Sequence, residues 1–227
     1  DLEDGHRKVF AILLAGMADS IPSDLRSDAW VIRQNALRLL AALAEFLDRF
    51  AGPRAANLAR RVEARVEHGV SREAVALTAV EGVGSGRAER LADAGLVSPA
   101  DVVDAGASEL ENAGMSGSVA ERIVEAASDC PRIDVDWGDF PEAIAVGENE
   151  MCEVAVTAVS GSARAGVRVT VNDVEMTATT TYLDGEATVP VGVFGTPDAD
   201  ELAFTVEVVF PDLPLLPVTA TRTVRVA

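Results

Sequence analysis

The chain is poor in lysine, cysteine, histidine and aromatic residues. Of its 227 residues, Lys8 is the only lysine, two are cysteines, two are histidines and 4% are aromatic. His6 and His68 are too few and too far apart in sequence for a metal site. Cys130 and Cys152 fall in segments of different character, so we expect free thiols rather than a disulfide framework.

Long apolar runs are absent as well. The longest run covers residues 9–15, far short of the roughly 20 residues that a membrane helix needs. The first residues are acidic, with Asp1 and Glu3, and lack the basic start of a signal peptide. We therefore expect no membrane contact and a cytoplasmic location. Because the chain opens within an amphipathic pattern, we also expect a piece of a larger protein.

No sequence pattern indicates a catalytic site. The glycine-rich segment 82–86 lacks the lysine of a phosphate-binding loop. The segment 160–162 does not have the spacing of a nucleophile elbow. These absences favour a non-catalytic chain that carries no cofactor of its own.

The charge is strongly negative and unevenly distributed. The chain has 37 acidic and 19 basic residues, a net charge of −18. An acid-rich, lysine-poor composition resembles that of proteins from extreme halophiles, where molar salt screens the repulsion. The excess of acid therefore says little about partners. Residues 1–77 hold eleven acids and eleven bases, whereas 133–227 hold sixteen and four. Contact with a polyanion is expected in the first third.

Residues 1–76 show helical periodicity. One helix is predicted over about 2–17, and a long second helix over about 28–50, ended by Gly52 and Pro53. On the long helix one side carries an apolar stripe, and another side carries charged residues. The stripe comprises Ile32, Ala36, Leu39, Leu43, Phe46 and Phe50; the charged residues are Arg38, Glu45 and Arg49. A third helix is predicted over about 53–68, with Gly69 as its C-cap and Leu58, Val62 and Val66 facing the core.

Residues 77–130 are predicted to form short helices joined by tight turns. The segment 77–95 has the pattern of a helix-hairpin-helix motif, with its signature at Val80, Gly82, Val83, Gly84 and Ala88. The glycines permit a left-handed turn and close approach of the backbone. Segment 112–120 has the form of a degenerate second copy, with Ala120 in the place of Ala88, so an internal duplication of about thirty residues is expected. Ser98 is predicted to cap the helix between them.

Residues 131–227 change to the alternating period of strands. Seven or eight strands are expected, with Asp184-Gly185 as a hairpin turn and the prolines at 211, 214 and 217 marking a loop or an edge. This pattern is typical of an antiparallel sandwich of immunoglobulin or fibronectin type. The predicted fold class is multidomain α+β: an all-α helical bundle with a helix-hairpin-helix unit, followed by the sandwich.

The order of these three parts resembles the Sec-sixty-three domain of Brr-two and related Ski-two-like superfamily-two helicases. The first two parts also resemble the ratchet region of archaeal Hel-three-oh-eight-type helicases. Local sequence carries the same resemblance at Asp24, Leu25, Ser27, Asp28, Ala36, Arg38 and Leu39. The resemblance in the order of the three parts covers nearly the whole chain. It implies the C-terminal part of a haloarchaeal ATP-dependent helicase, with ATP and magnesium bound elsewhere in the parent protein.

The resemblance further implies that the long helix lies across single-stranded RNA or DNA, with contacts from Trp30, Arg33 and Arg38. The hairpin motif itself predicts contacts at Gly82, Val83, Gly84 and Arg87, because the first N–H groups of the helix that follows the turn can hold a phosphate. The partners that the resemblance implies are the single strand, the motor domains of the same protein, and a protein on the sandwich. The alternative is a protein-interaction or scaffolding module without a nucleic-acid role, as in the Sec-sixty-three translocation protein.

The residues themselves leave alternatives open. Trp30 either stacks on a base or packs against the hairpin unit or a motor domain. Arg38 either contacts phosphate or pairs with Glu45 or a neighbouring acid. The first hairpin has few basic neighbours for phosphate binding, so it either touches nucleic acid or serves in packing.

Overall fold

The computed structural model describes residues 3–18 and 20–227. The chain forms two compact units. The helical unit comprises the residues up to Cys130 together with Pro211–Leu216, and the sandwich unit comprises Pro131–Phe210 and Pro217–Ala227.

The helical unit contains six α-helices within the described residues. Their bounds are α1 Asp4–Met17, α2 Arg26–Phe50, α3 Pro53–His68, α4 Ser85–Asp93, α5 Pro99–Asn112 and α6 Gly117–Ser128, with 3-10 helices at Ser23–Leu25 and Val75–Ala79. The predicted ends of α2 and α3 are confirmed. Gly69 adopts a left-handed conformation, with φ 66°, and its amide bonds to the carbonyl of Arg65, as a C-cap requires.

The side of α2 and α3 that faces the core consists of small residues. On α2 the buried residues are Ala29 and Ala44. The predicted core position of Leu58 on α3 is wrong, because 55% of this residue is exposed. The residues of α3 that are buried instead are Ala56, Asn57, Ala59, Ala64 and Val66. The alanines let the helices approach closely, which leaves several larger apolar side chains on the outside.

Asn57 fixes an irregular segment to α3. Its side chain is 1% exposed, and its Nδ2 donates to the carbonyls of Leu213 and Leu215 at 3.0 Å each. These carbonyls belong to Pro211–Leu216, which contains two of the three prolines that predicted a loop. Buried carbonyls need a donor, and Asn57 supplies it.

The helices from α4 to α6 surround one apolar core. Its largest fully buried members are Leu77, Leu91, Leu110 and Ile123. The predicted capping box at the start of α5 is confirmed, since Ser98 Oγ accepts from the amide of Asp101, and the Asp101 side chain accepts from the amide of Ser98.

The sandwich unit contains eight strands in two sheets. Their bounds are β1 Arg132–Asp136, β2 Ala143–Ile144, β3 Asn149–Ser160, β4 Ala163–Val171, β5 Val174–Leu183, β6 Glu186–Phe194, β7 Glu201–Val209 and β8 Val218–Val226. One sheet has the order β1-β3-β6 and the other β2-β8-β7-β4-β5. Adjacent strands are antiparallel except β2 and β8. The predicted α+β class and β-sandwich are confirmed.

One predicted turn has a different role. Asp184-Gly185 joins β5 to β6, but these strands belong to different sheets, so the predicted hairpin there is wrong. The turn instead carries the chain from one sheet to the other. A hairpin lies at Asn172-Asp173, between the paired strands β4 and β5, and both residues have positive φ, 47° and 66°. That geometry is expected of a type I′ turn.

Candidate nucleic-acid interface

The N-terminal half of α2 carries a polar ridge. Arg26, Trp30, Gln34 and Arg38 follow one another at intervals of four, which places them side by side along the helix. All four are exposed. We call these four residues the α2 ridge. An aromatic ring between two guanidinium groups offers a stacking surface with cations on both sides.

Trp30 is the largest exposed side chain of the ridge. It is 64% exposed, so it does not pack against the hairpin unit, which was one of the two expected alternatives. Its exposed indole offers a large flat surface, with a polar N–H at one end, on which a ligand or a partner can pack.

The arginines of the ridge are not neutralised by neighbours. Glu45, the expected partner of Arg38, instead pairs with Arg60 of α3. Arg60 also bonds to Glu63 at 2.9 Å. Within the described residues, Arg26 and Arg38 take part in no hydrogen bond or ion pair. In a chain with 37 acidic residues, two such arginines on one ridge create a local positive potential.

Arg33 lies outside the ridge. Its guanidinium donates to the carbonyl of Glu67, in the last turn of α3. A cation at that end of a helix satisfies a terminal carbonyl and complements the helix dipole. Of the three α2 residues predicted to contact nucleic acid, the structure therefore brings Trp30 and Arg38 onto one surface and gives Arg33 a partner in α3.

The first hairpin has the expected backbone. Gly82 has a φ of 82°, Val83 is 6% exposed and anchors the turn in the core, and Gly84 precedes α4. Arg87 Nη1 donates to the carbonyl of Gly82 at 2.7 Å. The side chain of Arg87, which was predicted to contact nucleic acid, thus bonds to the turn of its own hairpin.

The second hairpin repeats the first. Gly114 has a φ of 86° and Met115 is buried, as Val83 is. The carbonyl of Ser116 accepts from the amides of Val119 and Ala120, in the same way that the carbonyl of Gly84 accepts from Arg87 and Ala88. Ala88 and Ala120 are both fully buried. The expected internal duplication is therefore present in the structure.

Arg90 connects the two hairpins. Its Nε donates to the carbonyl of Gly86 at 3.1 Å, and its Nη1 donates to that of Gly114 at 3.3 Å. This residue was not among those predicted from the sequence. Its position three residues after Arg87 on α4 was visible, but the nearness of the second turn was not.

Acidic groups surround both hairpins. Beside Gly82 lies a depression of about 330 Å³, lined by Arg122 and by the acids Glu81, Glu125 and Asp129. At the second turn, a Cβ built on Gly117 would lie 3.0 Å from Oε1 of Glu111. This carboxylate therefore sits close to the first residue of α6, the helix end that attracts anions. These surroundings disfavour phosphate at the hairpins and leave the α2 ridge as the better candidate.

The remaining features considered in the described part of the chain are metal-ligating groups, membrane-spanning helices and the two thiols. No group of three or more metal-ligating side chains is present there. Among the same residues, no helix is long and apolar enough to cross a membrane. Burial raises the pKa of the Cys130 thiol, and the nearby Asp129 carboxylate raises it further. Burial likewise raises the pKa of Cys152. Neither Cys130 nor Cys152 forms a disulfide, in agreement with the expectation from the sequence.

Comparison with known proteins identifies the hairpin segment. A family model described as a SAM-like helix-hairpin-helix tandem matches residues 74–129, in agreement with the two turns in the structure. Units of this kind commonly bind nucleic acid. No curated protein matches the chain.

Several solved structures share features of the fold. The CARDB domain of a Pyrococcus furiosus protein, solved in complex with di-metal ions, is 19% identical with a TM-score of 0.36, covering 43% of this chain and 89% of that one. A β-glucosidase from Listeria innocua is 15% identical with a TM-score of 0.30; the match covers 42% of this chain and 16% of the glucosidase. The Pseudomonas fluorescens alkylpurine DNA glycosylase AlkC, bound to DNA containing an abasic site analogue, is 10% identical with a TM-score of 0.29. That match covers 96% of this chain and 77% of the glycosylase. None of these likenesses bears on what this chain binds.

Proposed function

We propose that this chain is a non-catalytic accessory region of an ATP-dependent nucleic-acid helicase in the cytoplasm of a haloarchaeon. It guides the unwound single strand and braces the motor domains, which bind ATP and magnesium elsewhere in the parent protein. The helical bundle, hairpin tandem and sandwich follow one another in the order of the Sec-sixty-three domain, which supports this proposal.

The α2 ridge is the observation that carries the proposal. It offers an exposed indole between arginines that have no acidic partner among the described residues. Stacking of a base on an aromatic side chain contributes about 1–3 kcal/mol, and each arginine adds a salt-dependent phosphate contact. This combination suits a single strand better than a duplex, because unpaired bases expose their faces.

A binding experiment on variants of the full chain tests the proposal. Arg38→Ala is expected to weaken the binding of a labelled single-stranded oligonucleotide, measured by fluorescence anisotropy, and to reduce the slope of affinity against salt by about one unit. Arg168→Ala, on β4, is the matched control, since Arg168 already has Glu175 at 3.6 Å and Glu207 at 3.5 Å as partners. Equal effects of the two changes would contradict the assignment. Salt is set to the lowest concentration at which circular dichroism shows the native fold.

The alternative is a protein-interaction module without a nucleic-acid role. The exposed apolar residues on the outside of the helical bundle favour protein contact at that surface. Absence of oligonucleotide binding in a folded chain would favour this alternative.

A further inference from the structure

A second surface of α2 is apolar and lies apart from the ridge. Leu39, Leu43, Phe46 and Phe50 are 64%, 44%, 58% and 68% exposed. We call these four residues the α2 stripe. At about 100° per residue, the stripe falls on a different side of α2 from the ridge and occupies the other half of the helix.

The spacing of the stripe selects the shape of its partner. Its residues follow at intervals of four, three and four, which is the seam pattern of two packed helices. The rings of Phe46 and Phe50 already contact each other, with centroids 4.6 Å apart. Side chains arranged in this way form knobs for the holes of a second helix and match neither a strand nor a flat sheet.

The charge beside the stripe selects the character of that helix. The Arg49 guanidinium lies 5.9 Å from the centroid of the Phe50 ring, at the margin of the stripe, and Arg38, the last residue of the ridge, is exposed at the N-terminal end of the stripe, where it precedes Leu39. Neither has an acidic partner within the described residues. Two acids lie on this half of the helix: Glu45 pairs with Arg60, and Asp48 is half-buried and has an interaction of its own. The margin is therefore positive and complements acidic residues.

A second copy of this chain fits less well. The stripe is centred between Leu43 and Phe46, so two-fold antiparallel pairing of α2 helices would bring Arg49 of each copy close to Arg38 of the other. Like charges at such an interface disfavour association. Nucleic acid is also disfavoured, because no side chain of the stripe is a hydrogen-bond donor and the rings of Phe46 and Phe50 already contact each other.

We infer that the α2 stripe is a docking site for an acidic amphipathic helix of a protein partner, with Arg49 pairing to a carboxylate beside the helix seam. This inference does not depend on strand guidance by the ridge. It assigns the C-terminal half of α2 to protein and leaves the N-terminal half to nucleic acid.

Two synthetic peptides test the inference on the full chain. Both have about three heptads with leucine at the seam; one carries glutamate at the flanking positions and the other lysine. Each is used below the concentration at which it associates with itself, and binding is measured by anisotropy. The glutamate peptide is expected to bind more tightly than the lysine peptide, and Arg49→Glu is expected to reverse that preference.

Two exposed apolar positions of α2 give a matched pair of variants. Phe46→Asp is expected to lower the affinity for the glutamate peptide by at least about tenfold, as for a central interface residue. Val31→Asp, at a position that is 51% exposed and outside the stripe, is expected to leave this affinity unchanged. Circular dichroism establishes that both variants fold. Phe46→Asp is also expected to leave oligonucleotide affinity unchanged, which separates this inference from the proposed function.

Four results would overturn the inference. They are failure of both peptides to bind, equal binding of the two, a dimer of the wild type that Phe46→Asp converts to a monomer, and loss of oligonucleotide binding in Phe46→Asp. The third would assign the stripe to a second copy, and the fourth to nucleic acid.

Discussion

Asn57→Ala is expected to destabilise the helical unit strongly. The Asn57 amide is buried and donates to the carbonyls of Leu213 and Leu215 at 3.0 Å each. Alanine removes both donors, and Leu215 itself is only 4% exposed, so water does not readily replace them. A buried acceptor without a partner costs about 1–3 kcal/mol. Because the Leu215 carbonyl is buried and the Leu213 carbonyl only partly so, we expect a combined loss of about 2–5 kcal/mol in the free energy of unfolding.

Urea denaturation in molar salt, followed by helical circular dichroism, measures this loss. Asn112→Ala is the control, because Asn112 is exposed and its bond to Glu109 is long, at 3.4 Å; its expected change is below about 0.5 kcal/mol. Hydrogen exchange should also show faster exchange within Pro211–Leu216 in the Asn57 variant. A change for Asn57→Ala as small as that of the control would refute the role given to this side chain.

The hairpins, the α5 cap and the thiols give three further predictions. Gly82→Ala should lower the free energy of unfolding by about 1–2 kcal/mol, because a φ of 82° strains an L-residue. Gly84→Ala should lower it less, since Gly84 has a φ of −85° and no atom lies within 4 Å of an added Cβ. The reverse order would contradict the turn geometry. Ser98→Ala should cost about 1 kcal/mol through loss of the cap, and an unchanged urea midpoint would contradict this. In the folded chain, Cys130 and Cys152 should need a higher pH to react with a thiol reagent than they need in urea. Burial raises both pKa values, and the thiolate is the reactive form. Identical pH profiles with and without urea would contradict their burial.

Features set by local chemistry were predictable from the sequence. The end of α2 at Phe50, the left-handed cap at Gly69 and the capping box at Ser98 each depend on a few adjacent residues. The second hairpin was also predictable, although it has lost one glycine, because a buried apolar residue and a buried alanine repeat at the same spacing. The alternation in the last third predicted the strands for the same reason.

Features set by distant contacts were not predictable. Asp184-Gly185 has the composition of a hairpin turn, yet the pairing of β5 with β4 and of β6 with β3 decides that it joins two sheets. The partner of Asn57 lies more than 150 positions away along the chain. A helical wheel located the apolar stripe of α2 but gave no sign that small residues would make the close contacts and leave the stripe outside.

The position of Arg33 illustrates the same limit for the candidate site. Arg33 and Arg38 are equivalent as sequence, since both are arginines on the long helix. The carbonyl of Glu67 at the end of α3 accepts from Arg33, while the acid nearest in sequence to Arg38 is held by Arg60. Which arginine stays available therefore depends on where α3 ends in space.

Quenching of Trp30 fluorescence by a single strand tests the central claim most directly. In a Trp137→Phe chain, Trp30 is the only tryptophan, so its emission reports the α2 ridge alone. Addition of a single-stranded oligonucleotide should quench this emission saturably, and Arg38→Ala should move the midpoint to higher concentration. Unchanged Trp30 emission at concentrations where a labelled oligonucleotide is bound, or no binding at all, would contradict strand guidance by α2.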